Sequence, residues 1–315
     1  MVFGLCSLVL GKTKTKDQRP SFMDIINRRK RMMSVARRLR REEHRTIGLV
    51  PTMGALHEGH LSLIHEARAL CDVVVVSVFV NPTQFGPNED FAAYPRDLTR
   101  DASLLAEYNV DYVFAPTVEE MYPPGAATFV TVEGLSNDLE GASRPGHFRG
   151  VTTVVAILMN IVRPHFAFFG QKDAQQTIII KQMVRDLAFE AEIVVLPIVR
   201  EDSGLALSSR NAYLDSKQRQ AAAVINDALV RARGAYDDGE HNATRLVELV
   251  REQIEQESQA RIDYVSINDA TTLEKLEKLD DQPALLSVAV FIGKTRLIDN
   301  VVLGESKKNV VSANA

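Results

Sequence analysis

The sequence predicts an α/β protein: a parallel sheet with helices on both faces, followed by a smaller C-terminal α+β domain. Three observations predict it. Strand-like and helix-like patterns alternate from residue 46 to about 200, which calls for crossover units and a parallel sheet. The run VVVVSVFV at 73–80 is apolar without alternation, the mark of a strand covered on both faces. After Arg210 the order changes to two long helices followed by three strands, which suits a separate α+β unit.

Taken in order, the chain opens with MVFGLCSLVL. A membrane-spanning helix needs about twenty apolar residues. A secretory signal carries its positive charges before the apolar run, whereas here Lys12, Lys14, Lys16 and Arg19 follow it. Gly11-Lys12-Thr13 resembles the end of a phosphate-binding loop, but the first glycine of that motif would fall at Cys6. Residues 1–20 therefore read as a disordered extension, with Met23 as an alternative start. Residues 28–41 form a basic helix, with Ile25, Met32, Ala36 and Leu39 at helical spacing. Its arginines read as a solvated face, against a competing reading as an RNA or anionic-membrane contact. Strands follow at 46–50, 73–80, 111–115, 166–169 and 192–197. Helices lie between them at 60–70, 98–109, 151–162 and 173–187. The C-terminal unit has helices at 217–234 and 243–260 and strands at 263–267, 286–292 and 295–302. The divisions are thus an extension (1–20), a Rossmann-like domain (21–202) and a smaller α+β domain (203–315), with a frayed tail after Gly304. In such a sheet, ligands sit at the carboxyl ends of the strands.

The 315 residues carry 37 Lys+Arg against 41 Asp+Glu, a net charge of −4, and 45% are hydrophobic. That balance excludes collagen, a disordered chain and a polytopic membrane protein, and it argues against a general nucleic-acid binder. Cys6 and Cys71 are too few for a disulfide framework or a four-thiolate zinc site, which fits a reducing cytoplasm. Cys71, at the end of an apolar stretch, is expected to pack against the core.

Four loops hold residues suited to chemistry. PTMGALHEGH at 51–60 follows a strand and opens a helix. Helix N-termini offer free N–H groups and a positive dipole end, which suits phosphates, and His57 and His60 can donate to phosphoryl oxygens. The competing readings are a zinc pair, for which this spacing is one residue short, a pair of unrelated surface histidines, and a dinucleotide fingerprint, whose glycine spacing is absent. In NPTQFG at 81–86, Asn81 and Gln84 suit a small polar ligand, or else form a simple Asn-Pro turn. In GQKDAQQ at 170–176, Gly170 ends a strand, Lys172 supplies a point charge and Asp173 fits a helix N-cap. Ser208-Ser209-Arg210 makes a polyphosphate clamp, or else a helix cap.

Together these segments resemble the pantothenate synthetase family, the pantoate–β-alanine ligases of bacteria and plants. The matching stretches are PTMGALHEGHLSL at 51–63, FVNPTQFGPNEDFAAYPRD at 79–97, RPGHFRGV at 144–151, FFGQKDAQQ at 168–176 and GLALSSRN at 204–211. The resemblance runs from about residue 21 to 304, and Leu207 stands where many members have Met. It implies a cytoplasmic, homodimeric ligase that uses ATP and Mg²⁺, with no nucleic-acid or membrane partner. Pantoate carboxylate would attack the α-phosphorus of ATP, and β-alanine would then attack the pantoyl adenylate. Carried over, Met53, Gly54, Ala55, Leu56, His57, Glu58, Gly59 and His60 would border ATP. His60 and His57 would stabilise the pentavalent phosphorus as protonated imidazoles, with Lys172 and Arg210 as further catalytic residues. Gly170, Gln171, Lys172 and Asp173 would hold ribose and phosphates. Val199 would touch adenine, and Leu207, Ser208, Ser209 and Arg210 would close over the triphosphate. Gln84 would bind pantoate and lie near β-alanine, Gln176 would bind pantoate, Asn81 would contact substrate, and Asp101 would help hold Mg²⁺. Two other classes share single features. An adenylyl- or cytidylyltransferase would have the histidine loop without the Gln84–Gln176 pair, and an RNA-binding protein would have the basic helix.

Overall fold

The alternation of the first two hundred residues becomes a six-stranded, all-parallel sheet. The computed structural model describes residues 23–87, 89–280 and 282–304. The expectations for the 1–20 extension, Cys6 and the tail beyond Gly304 lie outside them. The elements run β1 (Asp24–Ile26), α1 (Arg29–Arg41), β2 (Ile47–Thr52), α2 (Glu58–Leu70), β3 (Val73–Val78), α3 (Leu98–Glu107), β4 (Tyr112–Phe114), α4 (Val118–Met121), α5 (Glu140–Ser143), α6 (His147–Val162), β5 (Phe166–Gly170), α7 (Ala174–Asp186) and β6 (Glu192–Leu196). The strand order is β1-β4-β3-β2-β5-β6. The chain builds outward from β2 through β3 to β4, then crosses back to add β5 and β6 on the other side. The order therefore reverses between β2 and β5, where open α/β sheets bind ligands. These two strands pair at Gly48↔Phe166 and Leu49↔Ala167. β2 runs on to Thr52 and β5 to Gly170, so their carboxyl ends part and leave a crevice.

Burial on both faces explains the unbroken valine run. Val73 and Val75 join one apolar cluster with Leu49, Phe114 and Leu158, while Val74 and Val76 join the cluster on the other face with Val50, Ile64 and Phe168. Cys71 is a buried free thiol, as its position predicted. A side chain at Gly48 would meet its Sγ at 2.8 Å. Burial pushes the thiol's pKa up to about 12, which makes it an inert packing group.

The sequence reading missed β1, a three-residue strand paired to β4. Ile25 belongs to β1, is exposed, and is not part of the helical stripe, which is Met32, Ala36 and Leu39. Four of the seven arginines at 28–41 are engaged by carboxylates: Arg28 with Glu120, Arg31 with Asp24, Arg38 with Glu43 and Arg40 with Glu190. No helix among the described residues is long and apolar enough to cross a membrane.

The remaining chain gives α8 (Ser216–Ala222), α9 (Val224–Asp237), α10 (Ala243–Ile254) and the antiparallel sheet of β7 (Ala260–Asp269), β8 (Ala284–Ile292) and β9 (Thr295–Leu303). It has its own core, in which Leu229, Leu246, Val250 and Ile254 pack on Val288 and Val290. Two expectations are corrected. The helix expected at 217–234 is two helices meeting at Ala223. The helix expected at 243–260 ends at Ile254, because residues 255–259 (EQESQ) carry no apolar side chain to continue the buried stripe.

Candidate active site

The crevice between β2 and β5 is lined by the loops that follow them. Beyond β2 the chain turns through Gly54 (φ +86°) and Ala55 (φ +51°), and Gly54 N donates to Thr52 Oγ1. Asp101 at the start of α3 fixes this turn from behind. Its Oδ2 accepts from Ala55 N at 3.0 Å and its Oδ1 from Leu56 N at 2.9 Å. The carboxylate is 1% exposed and does not border the cavity described below. Asp101 thus holds the histidine loop in shape through both of its oxygens. Leu56 is likewise a core residue, and Gly54, Ala55 and Glu58 stay outside the cavity lining.

His57 caps α2. Its Nδ1 accepts from Gly59 N at 3.2 Å, so in the neutral ring the proton sits on Nε2. Its ring centroid lies 4.1 Å from that of His60. A Cβ at position 59 would lie 2.9 Å from His57 Cε1, so the glycine between the histidines lets the rings approach. His60 Nδ1 is buried without a hydrogen-bond partner among the described residues. Burial, then the Lys172 charge, lowers the His57 pKa to about 4. Burial, then His57 and Lys172, lowers that of His60 to about 3. Both rings are therefore neutral at pH 7 in the ligand-free protein; the protonated form expected at the reacting phosphorus concerns the nucleotide-bound state.

After β3, Asn81 caps the short turn Pro82–Gln84. Its Oδ1 accepts from Thr83 N, Thr83 Oγ1 and Tyr122 OH, and its Nδ2 donates to Gly150 O and Gln84 Oε1. Asn81 is 1% exposed and its hydrogen-bonding groups are engaged within the protein. It orients Gln84 through Nδ2 and also borders the cavity described below. Gln84 Nε2 reaches Met53 Sδ at 3.2 Å, and its carbonyl meets His147 Nδ1 at 2.8 Å.

After β5 a short turn, Gln171–Asp173, precedes α7. Asp173 stands at the N-cap position but makes no side-chain cap. Gln171 turns to β9, with Nε2 donating to Asn300 Oδ1 at 3.0 Å, while Asn300 Nδ2 donates to the carbonyls of Gln171 and Lys172. Gln171 is thus a tie to the C-terminal unit and lies outside the lining of the cavity described below. Beyond β6, Ser208 Oγ accepts from Arg210 N at 3.3 Å and Ser209 Oγ lies 3.2 Å from Tyr94 OH.

These loops enclose one cavity of about 240 Å³. His57, Gly59 and His60 line it from the β2 side, with Met53. Gly170, Lys172 and Asp173 line it beyond β5. Val199, Leu207, Ser208, Ser209 and Arg210 line it from beyond β6, and Asn81, Gln84 and Gln176 complete it. A wider cleft of about 790 Å³ toward the C-terminal sheet shares Lys172, Asp173, Gln176, Ser208 and Arg210. The histidines and the cationic clamp therefore face one space. Sequence reasoning assigned no role to Glu89, Arg144 or His147, although all three lie in the quoted segments. Glu89 accepts from Arg144 Nη2 at 2.6 Å, and Arg144 Nη1 lies 3.0 Å from His147 Nε2. Their signal was an acidic pair, Glu89-Asp90, beside an otherwise neutral loop.

The family model for pantoate-beta-alanine ligase matches residues 24–302. The chain belongs to the pantoate–β-alanine ligase family. It is 59% identical over 263 residues to the pantothenate synthetase of Moorella thermoacetica, covering 84% of this chain and 93% of that one. It is 56% identical over 265 residues to that of Pelotomaculum thermopropionicum, covering 84% and 94%. Among solved structures, pantothenate synthetase from Thermus thermophilus superposes with a TM-score of 0.83 at 45% identity, covering 89% of this chain and 99% of that one. Pantoate-beta-alanine ligase from Francisella tularensis, complexed with beta-gamma ATP and beta-alanine, superposes with a TM-score of 0.73 at 38% identity, covering 90% and 98%. Membership of this family makes the chain a ligase.

Proposed function

We propose that the chain joins pantoate to β-alanine at the expense of ATP, through a pantoyl adenylate, releasing AMP and pyrophosphate. The observation that carries this reading is the single cavity bordered by His57 and His60, by Lys172 and by Ser208–Arg210. Donors and cations surround a space where strand order reverses, the arrangement a triphosphate needs. A carboxylate is a poor acyl donor because oxide would have to leave, and adenylation supplies a better leaving group. A pantoate oxygen bonds to the α-phosphorus while the bond to the β-phosphate oxygen breaks. The β-alanine amine then bonds to the acyl carbon, AMP departs, and the amine loses a proton. Such displacements are governed by positioning and charge stabilisation, so no protein nucleophile is required.

In this reading His57 and His60 donate N–H to oxygens on the reacting phosphorus. Lys172 and Arg210 neutralise phosphate charge, Ser208 and Ser209 donate hydroxyls, and Met53, Val199 and Leu207 give the apolar border of the nucleoside. Gln84 and Gln176 hold pantoate, with Gln84 toward β-alanine. No group of three His, Cys, Asp or Glu suited to a metal occurs among the described residues, and Asp101 is engaged elsewhere. The described residues therefore form no dedicated magnesium cage, and no step here runs through the metal. We read the active species as a cytoplasmic homodimer whose units divide at 202/203, the C-terminal unit closing on ATP to keep water from the adenylate.

The test is product analysis with purified full-length protein. Pantoate, ATP and β-alanine with Mg²⁺ should give pantothenate, AMP and pyrophosphate in equal amounts, and ATP–pyrophosphate exchange without β-alanine should require pantoate. Exchange driven by a phosphate ester and indifferent to pantoate would overturn the reading in favour of another nucleotidyltransferase.

A further inference from the structure

Glu89 and Asp90 follow the turn that carries Gln84, and neither has a part in the ligation described above. Each grips an arginine through the same edge. Glu89 accepts from Arg144 Nε at 2.9 Å and Nη2 at 2.6 Å. Asp90 accepts from Arg210 Nε at 3.2 Å and Nη2 at 3.0 Å, and Tyr213 OH adds a bond to Asp90 Oδ2 at 3.4 Å. Arg210 lies 120 positions from Asp90, so the pair bridges the large unit and the segment that leads into the second core. A two-point grip fixes both the place and the plane of a guanidinium. It leaves Arg210 Nη1 without a hydrogen-bond partner among the described residues, while the side chain borders the same cavity as His57, His60 and Lys172. The neighbouring contact of Tyr94 OH with Ser209 Oγ means that residues 89–94 touch two consecutive members of the clamp.

We propose that Asp90 is a positioning residue for the phosphate clamp, taking the Nε/Nη2 edge of Arg210 so that the Nη1 edge is presented to the nucleotide. The proposal rests on the ATP-dependent reading of this cavity. Burial raises the Asp90 carboxyl, but the hydrogen bond and charge of Arg210 outweigh it and hold the group below its ordinary range. The grip is therefore charge-assisted at neutral pH. The opposing possibility is that Asp90 is a counter-ion which the phosphates must displace. The two differ in sign: removing a positioning residue weakens ATP binding, whereas removing a competitor tightens it.

The experiment measures pantoate-dependent ATP–pyrophosphate exchange and the KM for each substrate in full-length protein. The variants are Asp90→Asn, Asp90→Glu, Arg210→Ala and the double variant Asp90→Asn/Arg210→Ala. Asp90→Asn should raise the KM for ATP about ten- to a hundredfold, the scale of one hydrogen bond to a charged group, and leave the KM for β-alanine unchanged. Asp90→Glu, which keeps the charge, should recover most of the loss. In the Arg210→Ala background, Asp90→Asn should add nothing. If Asp90→Asn does not fold, Asp90→Ser takes its place in the same comparison. A lower KM for ATP, or an effect that persists without Arg210, overturns the proposal. Absence of pantoate-dependent exchange in the unmodified protein is a separate result, and it would count against the ligase reading itself.

Discussion

Gly150 sits inside α6, where the helix presses on the backbone of the turn that carries Gln84. A Cβ built there would lie 2.3 Å from the carbonyl oxygen of Thr83, 2.5 Å from its carbon and 2.6 Å from Gln84 Cα. All three are backbone atoms, so no rotamer change relieves the overlap. Ordinary contact begins near 3.4 Å, which leaves a shortfall of about 1.1 Å. The turn is also tied in place: Asn81 Nδ2 bonds to Gly150 O, Tyr122 OH to Asn81 Oδ1, and His147 Nδ1 to Gln84 O. In Gly150→Ala, overpacking costs about 1–3 kcal/mol, while alanine in a helix interior returns roughly 1 kcal/mol. Net stability should therefore fall by about 0–2 kcal/mol. Catalysis should suffer more, because displacing a positioning group by an ångström costs about a hundredfold. The assay is the pantoate dependence of ATP–pyrophosphate exchange, with a melting curve in parallel. kcat/KM for pantoate should fall about a hundredfold, with the KM for ATP little changed. An unaltered pantoate response together with a raised melting temperature would show that α6 does not pin the turn.

Three further outcomes are expected. His60→Ala should lose about 3–4 kcal/mol of transition-state stabilisation, the scale of one oxyanion donor, without a lower melting temperature; near-normal exchange would dismiss His60 from the reaction. Asp101→Asn replaces one acceptor of a buried backbone N–H and should cost about 1–3 kcal/mol of stability, leaving the magnesium titration at saturating ATP unmoved; a shifted titration would restore Asp101 as a metal ligand. The third concerns pH. His57, His60 and His147 have folded-state pKa values lowered to about 4, 3 and 4, in each case chiefly by burial. The unfolded chain, with ordinary values near 6.5, takes up protons that the folded state refuses. Stability is thus fully present above about pH 6.5 and is lost as pH falls toward 4. Denaturant melts at pH 7.5, 6 and 5 should show it, and an equal or higher midpoint at pH 5 would contradict the neutral assignment.

Features that rest on local pattern were legible in the sequence. The valine run of β3 is apolar throughout because both of its faces are covered, and the glycine-flanked histidines stand out because such residues are rarely clustered between a strand and a helix. The three residues of β1 carry no periodicity to detect. The joint at Ala223 has no proline or glycine to mark it. A lone Asp101 reads equally as a cap, a metal ligand or a clamp, and only the approach of α3 to the loop shows which backbone groups it holds. Asn81 and Gln171 have the side chains of ligand-binding residues, but their partners, Tyr122 and Asn300, lie far along the chain. The Asp90–Arg210 grip is hidden for the same reason.

The neutral histidine pair bears on how the cavity accepts a polyanion. Two protonated rings with centroids 4.1 Å apart would repel by about 4 kcal/mol at the effective dielectric of a protein surface, and Lys172 would add to that. Burial keeps the protons away, so the ligand-free site presents one N–H per ring without accumulating cationic charge. Glu89 and Asp90 act in the same direction by balancing Arg144 and Arg210. The pocket is thereby shaped by donors whose directions are set in advance, with little unbalanced charge to reorganise. A triphosphate entering it brings the negative charge that reverses the repulsion and raises the affinity of both imidazoles for a proton. The charged form of the histidines is then favoured when phosphate is present to use it, which makes protonation a consequence of nucleotide binding rather than a condition for it.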